Sequence, residues 1–206
     1  MSGTGRPAAN WEVTLAATTA EQTQALGRHI AEVLQAGDLL VLSGELGAGK
    51  TTFTQGLGEG LGVRAGIISP TFVLVRIHPN LPDGPRPGGP DLVHVDAYRL
   101  GSAAEIDDID LENTMDSSVT VVEWGLDRVE HLSESRLEID LHRAIGLGTA
   151  AEAAGDLGDA GTTGGPSATL DFDDDTDEPR TIVVRGYGPR WATAPALGGF
   201  EGGLPC

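Results

Sequence analysis

Residues Gly44-Glu45-Leu46-Gly47-Ala48-Gly49-Lys50-Thr51 set glycines, a lysine and a hydroxyl side chain at the offsets of a phosphate-binding loop. Glycine has no Cβ, so successive backbone N–H groups can turn toward one anion. A helix starting at the lysine adds the positive end of its dipole. In that arrangement the backbone of Gly44, Gly47, Ala48, Gly49 and Thr52 encloses a nucleotide's phosphates. Lys50 meets the β- and γ-phosphates, and the Thr51 hydroxyl is a ligand for Mg2+. Lys50 is the only lysine in 206 residues, and every other cationic side chain apart from histidine is arginine. A ring of amides accepts a compact, mobile ammonium more readily than a planar guanidinium fork.

Hydrolysis at such a loop also needs an acid at a neighbouring strand end, to hold the cation or orient water. Asp96 closes the apolar run LVHVD and Glu123 closes VTVVE, which puts both at the C-terminal sheet edge, where phosphate loops sit. A single strand-end acid more often caps a helix or faces solvent; two beside a phosphate loop point to a site. Thr71, within ISPTF, falls where switch segments meet a γ-phosphate, although Ser-Pro-Thr is also ordinary turn chemistry. His94 alternates onto the same side as Asp96, and buried packing is its expected role. Trp124 is either a base-stacking residue or core. There is no Ser-His-Asp arrangement and no zinc-ligand spacing. An Asn-Lys-x-Asp segment for guanine is also missing, which favours ATP.

These groups need elements to position them. WEVTLA, from Trp11, alternates apolar and polar residues as a half-buried strand does. Next, TTAEQTQALGRHIAEVLQAGD predicts a helix from a Thr18–Glu21 capping box to Gly37, with Leu26, Ile30, Val33 and Leu34 on one face. DLLVLS reads as a strand covered on both sides in a parallel sheet. The helix after the phosphate loop is expected to end near Gly60 and Gly62. Further strands are expected over TFVLVRIH, DLVHVD, VTVVEW, RLEIDLHRA and TIVVRGYG. AAEIDDIDLENTM is weakly helical, and HPNLPDGPRPGGPD reads as a surface loop. The expectation is an α/β fold: a three-layer P-loop NTPase-like domain with a mainly parallel central sheet.

Composition narrows the function. A net charge of −18 argues against gripping nucleic acid directly or binding an anionic membrane. No apolar run is long enough to span a bilayer, and the N-terminal residues lack a signal-peptide core, so a cytoplasmic protein is expected. Cys206 is the single cysteine, which leaves no internal disulfide. Residues 1–206 read as one domain with an acidic, disordered insertion at about 144–179 and an irregular C-terminal tail. Asp173, Asp175 and Asp177 begin an alternating-acid pattern, but Glu178 and Val184 stand where a calcium loop needs glycine and glutamate.

GELGAGKTTFTQGLGEGLG, SPTF, HVDAYRL and VVEWG, in this order, resemble the TsaE (formerly YjeE) family from about Thr14 to Leu141. The phosphate loop alone would not single out that family; His-x-Asp-x-Tyr-Arg followed by Glu-Trp does. The resemblance implies a compact ATPase that binds ATP and Mg2+ and is weak alone. It would act with TsaB and TsaD in the N6-threonylcarbamoyladenosine modification of tRNA, meeting tRNA only through that complex. Hydrolysis would reset the complex rather than transfer the group. By motif, the resemblance puts Gly47 to Thr51 on the phosphates, and Thr51 and Glu123 at the magnesium. Asp96 would lie near the γ-phosphate, Thr71 at the switch contact and Trp124 beside the nucleotide or a partner. Thr18 or Thr19 would approach the nucleotide. The acidic insertion and the WATAPALGGFEGGLPC tail depart from the compact family pattern. A small metabolite kinase and a non-catalytic, nucleotide-dependent interaction module are the alternatives. The absence of arginine from the insertion counts against the kinase.

Overall fold

The computed structural model describes residues 7–143 and 179–197. The acidic segment expected as an insertion lies outside them except for Pro179, as does the tail beyond residue 197. Strand β1 (Trp11–Ala17) leads into helix α1 (Ala20–Ala31), strand β2 (Leu39–Gly44) and helix α2 (Lys50–Leu61). Strands β3 (Val75–His78) and β4 (Asp91–Asp96) follow, then two short helices, α3 (Ala103–Asp107) and α4 (Glu112–Met115). Strands β5 (Ser118–Glu123), β6 (Arg136–Arg143) and β7 (Arg180–Tyr187) complete one seven-stranded sheet in the order β1-β7-β6-β2-β5-β4-β3.

The centre of the sheet, β6-β2-β5-β4, is parallel, and both flanks are antiparallel. The continuous apolar runs account for this. All six residues of β5 are buried, as are Leu39, Leu40, Val41 and Leu42 of β2, so both faces of these strands must be covered. Alternation divides them between two cores. Leu40, Leu42 and Val121 pack with Leu26, Ile30, Phe53 and Leu57 of α1 and α2. Leu39, Val41 and Val122 pack on the other face with Ile106, Leu111, Met115 and Val129. The result is three layers with a mainly parallel central sheet, as the sequence predicts.

Several boundaries differ from expectation. The cap of α1 lies one residue later: Thr19 Oγ1 accepts from Gln22 N at 3.2 Å, while Gln22 Oε1 accepts from Thr18 N at 2.6 Å. The helix ends at Ala31, and Val33, beyond it, is 40 % exposed rather than on the buried face. Gly37, at φ +94°, turns the chain into β2 instead of ending the helix. Gly60 lies inside α2, and Gly62 alone terminates it, at φ +71°. Strand β3 begins only at Val75, because residues after Pro70 form a turn closed by Leu74 at φ +65°.

The proline- and glycine-rich loop is more than a connection. Arg86 donates to Ala31 O at 3.0 Å and to Leu34 O at 2.8 Å, supplying a cation to carbonyls at the end of α1. Asn80 Nδ2 donates to Leu61 O at 2.9 Å and thereby satisfies the end of α2. One loop thus caps both helices behind the phosphate loop. Those helices pack backbone to backbone: a Cβ on Gly27 would lie 2.3 Å from Phe53 O, and one on Gly56 2.0 Å from Gln24 O.

Candidate functional site

The phosphate loop joins the C-terminal end of β2 to the N-terminus of α2. Gly44, Gly47 and Gly49 take φ values of +135°, +76° and +99°, a region where L side chains are strained. At Gly44 space forbids a side chain as well, since a Cβ would meet Leu141 O at 2.1 Å. Ala48 is buried, and its amide donates to Glu45 O at 3.2 Å. Lys50, the first residue of α2, is 5 % exposed. Its Nζ donates to Gly44 O and Glu45 O, both at 2.9 Å, and lies 3.8 Å from the centroid of the Trp124 ring. Burial pushes its pKa down, opposed by the charges of Glu123, Asp96 and Glu45.

The parallel register sets Asp96 directly beside Glu123. The adjacent carboxylates have separate partners. Glu123 accepts from Thr51 Oγ1, at 3.1 Å to Oε1 and 3.4 Å to Oε2, and Oε1 also contacts His94 Nε2 at 2.8 Å. Asp96 Oδ2 accepts from Thr71 Oγ1 at 2.6 Å and Ser69 Oγ at 3.0 Å, and its Oδ1 accepts from Tyr98 N at 2.9 Å. Thr51 and Glu123 offer a hydroxyl and a carboxylate, hard oxygen donors of the kind magnesium takes alongside phosphate and water. Among the described residues no group of three or more His, Cys, Asp or Glu side chains could hold a metal unaided.

Trp124 lies outside the strand expected to contain it. It sits just past β5 at φ +61°, and its ring meets Tyr98 edge-on at 5.3 Å. A non-glycine residue held left-handed immediately after a buried acid is a local cost of the sort found at functional sites. Thr19 and Thr52 make no hydrogen bond to this group among the described residues. Thr19 spends its hydroxyl oxygen capping α1, although Thr23, one turn later, lies 3.7 Å from where a Gly49 Cβ would be.

Three residues escaped the sequence reading. His94 was expected only to pack, yet it is hydrogen-bonded to Glu123. Arg143 and Arg180 are paired across β6 and β7 and lie against the loop: a Cβ at Gly47 would be 3.4 Å from Arg143 Nη1, and one at Gly49 3.3 Å from Arg180 Nε. The available signal was the expected parallel sheet, because a parallel strand beside β2 must end at the phosphate-loop edge. The absence of arginine within the insertion therefore says less against a kinase than expected, because its two flanks bring arginines to the loop.

A buried parallel strand, a glycine loop and a helix opening on the lysine define the P-loop class of nucleotide-binding or nucleotide-hydrolysing proteins. Comparison with known proteins narrows the class. The family model for "Threonylcarbamoyl adenosine biosynthesis protein TsaE" matches residues 17–147. A tRNA threonylcarbamoyladenosine biosynthesis protein TsaE from Streptomyces coelicolor is 49 % identical over 170 residues, covering 82 % of this chain and 93 % of the relative. One from Mycobacterium tuberculosis is 46 % identical over 129 residues, 60 % of this chain and 74 % of its own. The crystal structure of YdiB from Bacillus subtilis aligns with a TM-score of 0.57 at 29 % identity, over 88 % of this chain and 89 % of that one. The chain belongs to the TsaE family. No helix among the described residues is long and apolar enough to cross a membrane.

Proposed function

We propose that this protein binds ATP with magnesium, hydrolyses it, and acts with TsaB and TsaD in threonylcarbamoyladenosine biosynthesis on tRNA. The observation that carries the reading is the convergence of Lys50, Thr51 and Glu123 at the mouth of the phosphate loop, with Thr51 and Glu123 in direct hydrogen bond. The amides of residues 47–52 and the start of α2 bind and orient the phosphates. Lys50, tethered by two carbonyls, needs only side-chain rotation to place its charge on the phosphates. Thr51 and Glu123 would hold the magnesium, which when bound would supply the positive charge that offsets charge developing on the phosphate oxygens. Asp96 orients the attacking water and holds the Ser69–Thr71 segment, which makes that segment responsive to the γ-phosphate. Trp124 covers Lys50, and Thr19 caps the N-terminus of α1, one turn before Thr23, whose side chain lies against Gly49. The net charge of −18 supports contact with tRNA only through the partner proteins.

The test is phosphate release from ATP, measured alone and with TsaB and TsaD. Slow release alone and a clear rise with both partners is expected. Release that the partners leave unchanged overturns the assignment, and phosphate appearing on a metabolite establishes a kinase instead. Lys50→Ala removes the charge at the loop and is expected to abolish nucleotide binding in equilibrium titration.

A further inference from the structure

His94 is fully buried in the middle of β4, on the sheet face that carries Asp96, Glu123 and α2. Its Nε2 lies 2.8 Å from Glu123 Oε1. An ionised carboxylate only accepts hydrogen bonds, so the hydrogen in that contact belongs to the imidazole in either of its charge states. The same Oε1 also receives Thr51 Oγ1 at 3.1 Å, whereas Oε2 has Thr51 at 3.4 Å. Two donors therefore converge on one oxygen of Glu123 and leave the other less engaged. The far side of the ring does no comparable work. His94 Nδ1 has no hydrogen-bond partner among the described residues, and the His78 ring is tilted with its centroid 6.2 Å away. A histidine kept only to fill space would leave that buried nitrogen unsatisfied for no return, where leucine or phenylalanine would fill the space without the cost.

We infer that His94 is a positioning residue: its Nε2–H pins Glu123 Oε1 and so presents Oε2 to the magnesium that Thr51 and Glu123 hold. The inference rests on the magnesium reading of that pair and extends it to a residue which touches neither nucleotide nor cation. A carboxylate ligand on a three-torsion side chain is otherwise free to rotate away. Partners that orient a metal ligand typically account for about 10–100-fold in metal affinity or activity.

The experiment compares His94→Gln with His94→Asn in the full chain. Glutamine can place an amide N–H near the position of Nε2, and asparagine cannot reach it. Both are polar and smaller than histidine, so bulk loss alone affects them in the same direction. The readout is the magnesium concentration giving half-maximal strengthening of fluorescent ATP-analogue binding, beside affinity in EDTA, kcat, KM and the melting temperature. His94→Asn is expected to raise the magnesium requirement and lower kcat by about 10–100-fold, with affinity in EDTA unchanged. His94→Gln is expected to stay within about 3-fold of the unmodified protein, well short of a lost ligand partner. Equal magnesium requirements in folded Asn and Gln variants overturn the inference, and so does a loss in EDTA affinity as large as the loss with magnesium. If asparagine does not fold, a His94→Gln protein needing over 10-fold more magnesium also overturns it. Failure of the unmodified protein to bind the analogue in a magnesium-dependent way would instead strike the function proposed above.

Discussion

Gly56→Ala and Gly58→Ala test the way α2, and with it Lys50 and Thr51, is seated. Alanine is the better helix former by about 0.8–1.0 kcal/mol at an interior position, so propensity alone makes both changes stabilising. Packing separates them. At position 56 the new Cβ would lie 2.0 Å from Gln24 O and 2.6 Å from Gln24 Cα, both backbone atoms of α1. Moving from 2.0 Å to ordinary contact at 3.4 Å requires the helices to part by about 1.4 Å. A gap of 0.5–1 Å already forfeits roughly a quarter to a half of each dispersion contact, and Leu26, Ile30, Phe53 and Leu57 all lie in this packing. Overpacking of this severity costs about 3 kcal/mol, which leaves Gly56→Ala destabilised by about 2 kcal/mol after the helix gain. At position 58 the close atoms are side-chain tips, Ile67 Cδ1 at 2.2 Å and Val63 Cγ2 at 3.2 Å. A forced rotamer costs about 0.5–1.5 kcal/mol, which the propensity gain offsets, so Gly58→Ala is expected to be near neutral. Urea unfolding followed by circular dichroism gives both values. Because Thr51 is at 3.1 Å from Glu123, a displaced α2 is also expected to weaken magnesium-dependent ATP binding in the Gly56 variant alone. A Gly56→Ala protein as stable as Gly58→Ala would refute the backbone-to-backbone seating.

Asp96→Asn is expected to spare ATP binding and lower turnover by about 100-fold or more, the lower end of what a positioned acid–base group supplies; unchanged turnover in a phosphate-release assay would remove Asp96 from the chemistry. Thr71→Val deletes the 2.6 Å donor to Asp96 and should cost about 1 kcal/mol in urea unfolding, because Ser69 and the Tyr98 amide still satisfy that carboxylate. Lys50 has a lowered pKa in the fold because burial penalises its charge. The unfolded chain therefore binds more protons, and that penalty is fully present below the lowered pKa and relieved as pH rises toward the ordinary lysine value. Stability relative to Lys50→Met should accordingly improve as pH rises toward the ordinary lysine value of 10.5, and a difference independent of pH up to that value would contradict the lowered pKa. Arg86→Ala should cost about 1–2 kcal/mol by removing the cation from the end of α1 while leaving ATP affinity unchanged.

What was legible in the sequence was whatever depended on local pattern. The loop, the buried runs of β2, β4 and β5, and the acids ending two of those runs all follow from residue type and spacing, and parallel pairing then brings Asp96 beside Glu123. The misread features depend on partners distant in sequence. Val33 fits the periodicity of α1, but the helix stops at Ala31, whose carbonyl accepts from Arg86, far along the chain. His94 looks like core because alternation says which way it points and not what it meets. That Trp124 leaves the strand at φ +61° is set by surroundings that no window around Val-Val-Glu-Trp encodes. Arg143 and Arg180 required knowing that β6 and β7 pair across the segment between them.

The register of β4 and β5 also bears on how two equivalent acids would come to do the different work proposed for them. Asp96 and Glu123 are direct neighbours on parallel strands, both 2 % exposed and both at the sheet edge that carries the phosphate loop. Nothing in the sheet itself distinguishes them. Their donors do. Glu123 is held by Thr51 of α2 and His94 of β4, both on regular elements, so its geometry is as rigid as the core. Asp96 is held by Ser69, Thr71 and the Tyr98 amide, all on connections. Phe72, beside Thr71, is 85 % exposed, so little packing opposes movement of that segment. A metal ligand gains from the first environment, because cation affinity falls steeply when its oxygens wander. A group that must report the γ-phosphate gains from the second, since breaking two hydroxyl contacts frees the whole segment. On the proposed reading the carboxylates would divide by the stiffness of what holds them, Glu123 serving the cation and Asp96 the switch. Exchanging them as Asp96→Glu with Glu123→Asp preserves the charge and should abolish turnover, while the fold survives in circular dichroism; retained turnover would show that the two positions are interchangeable.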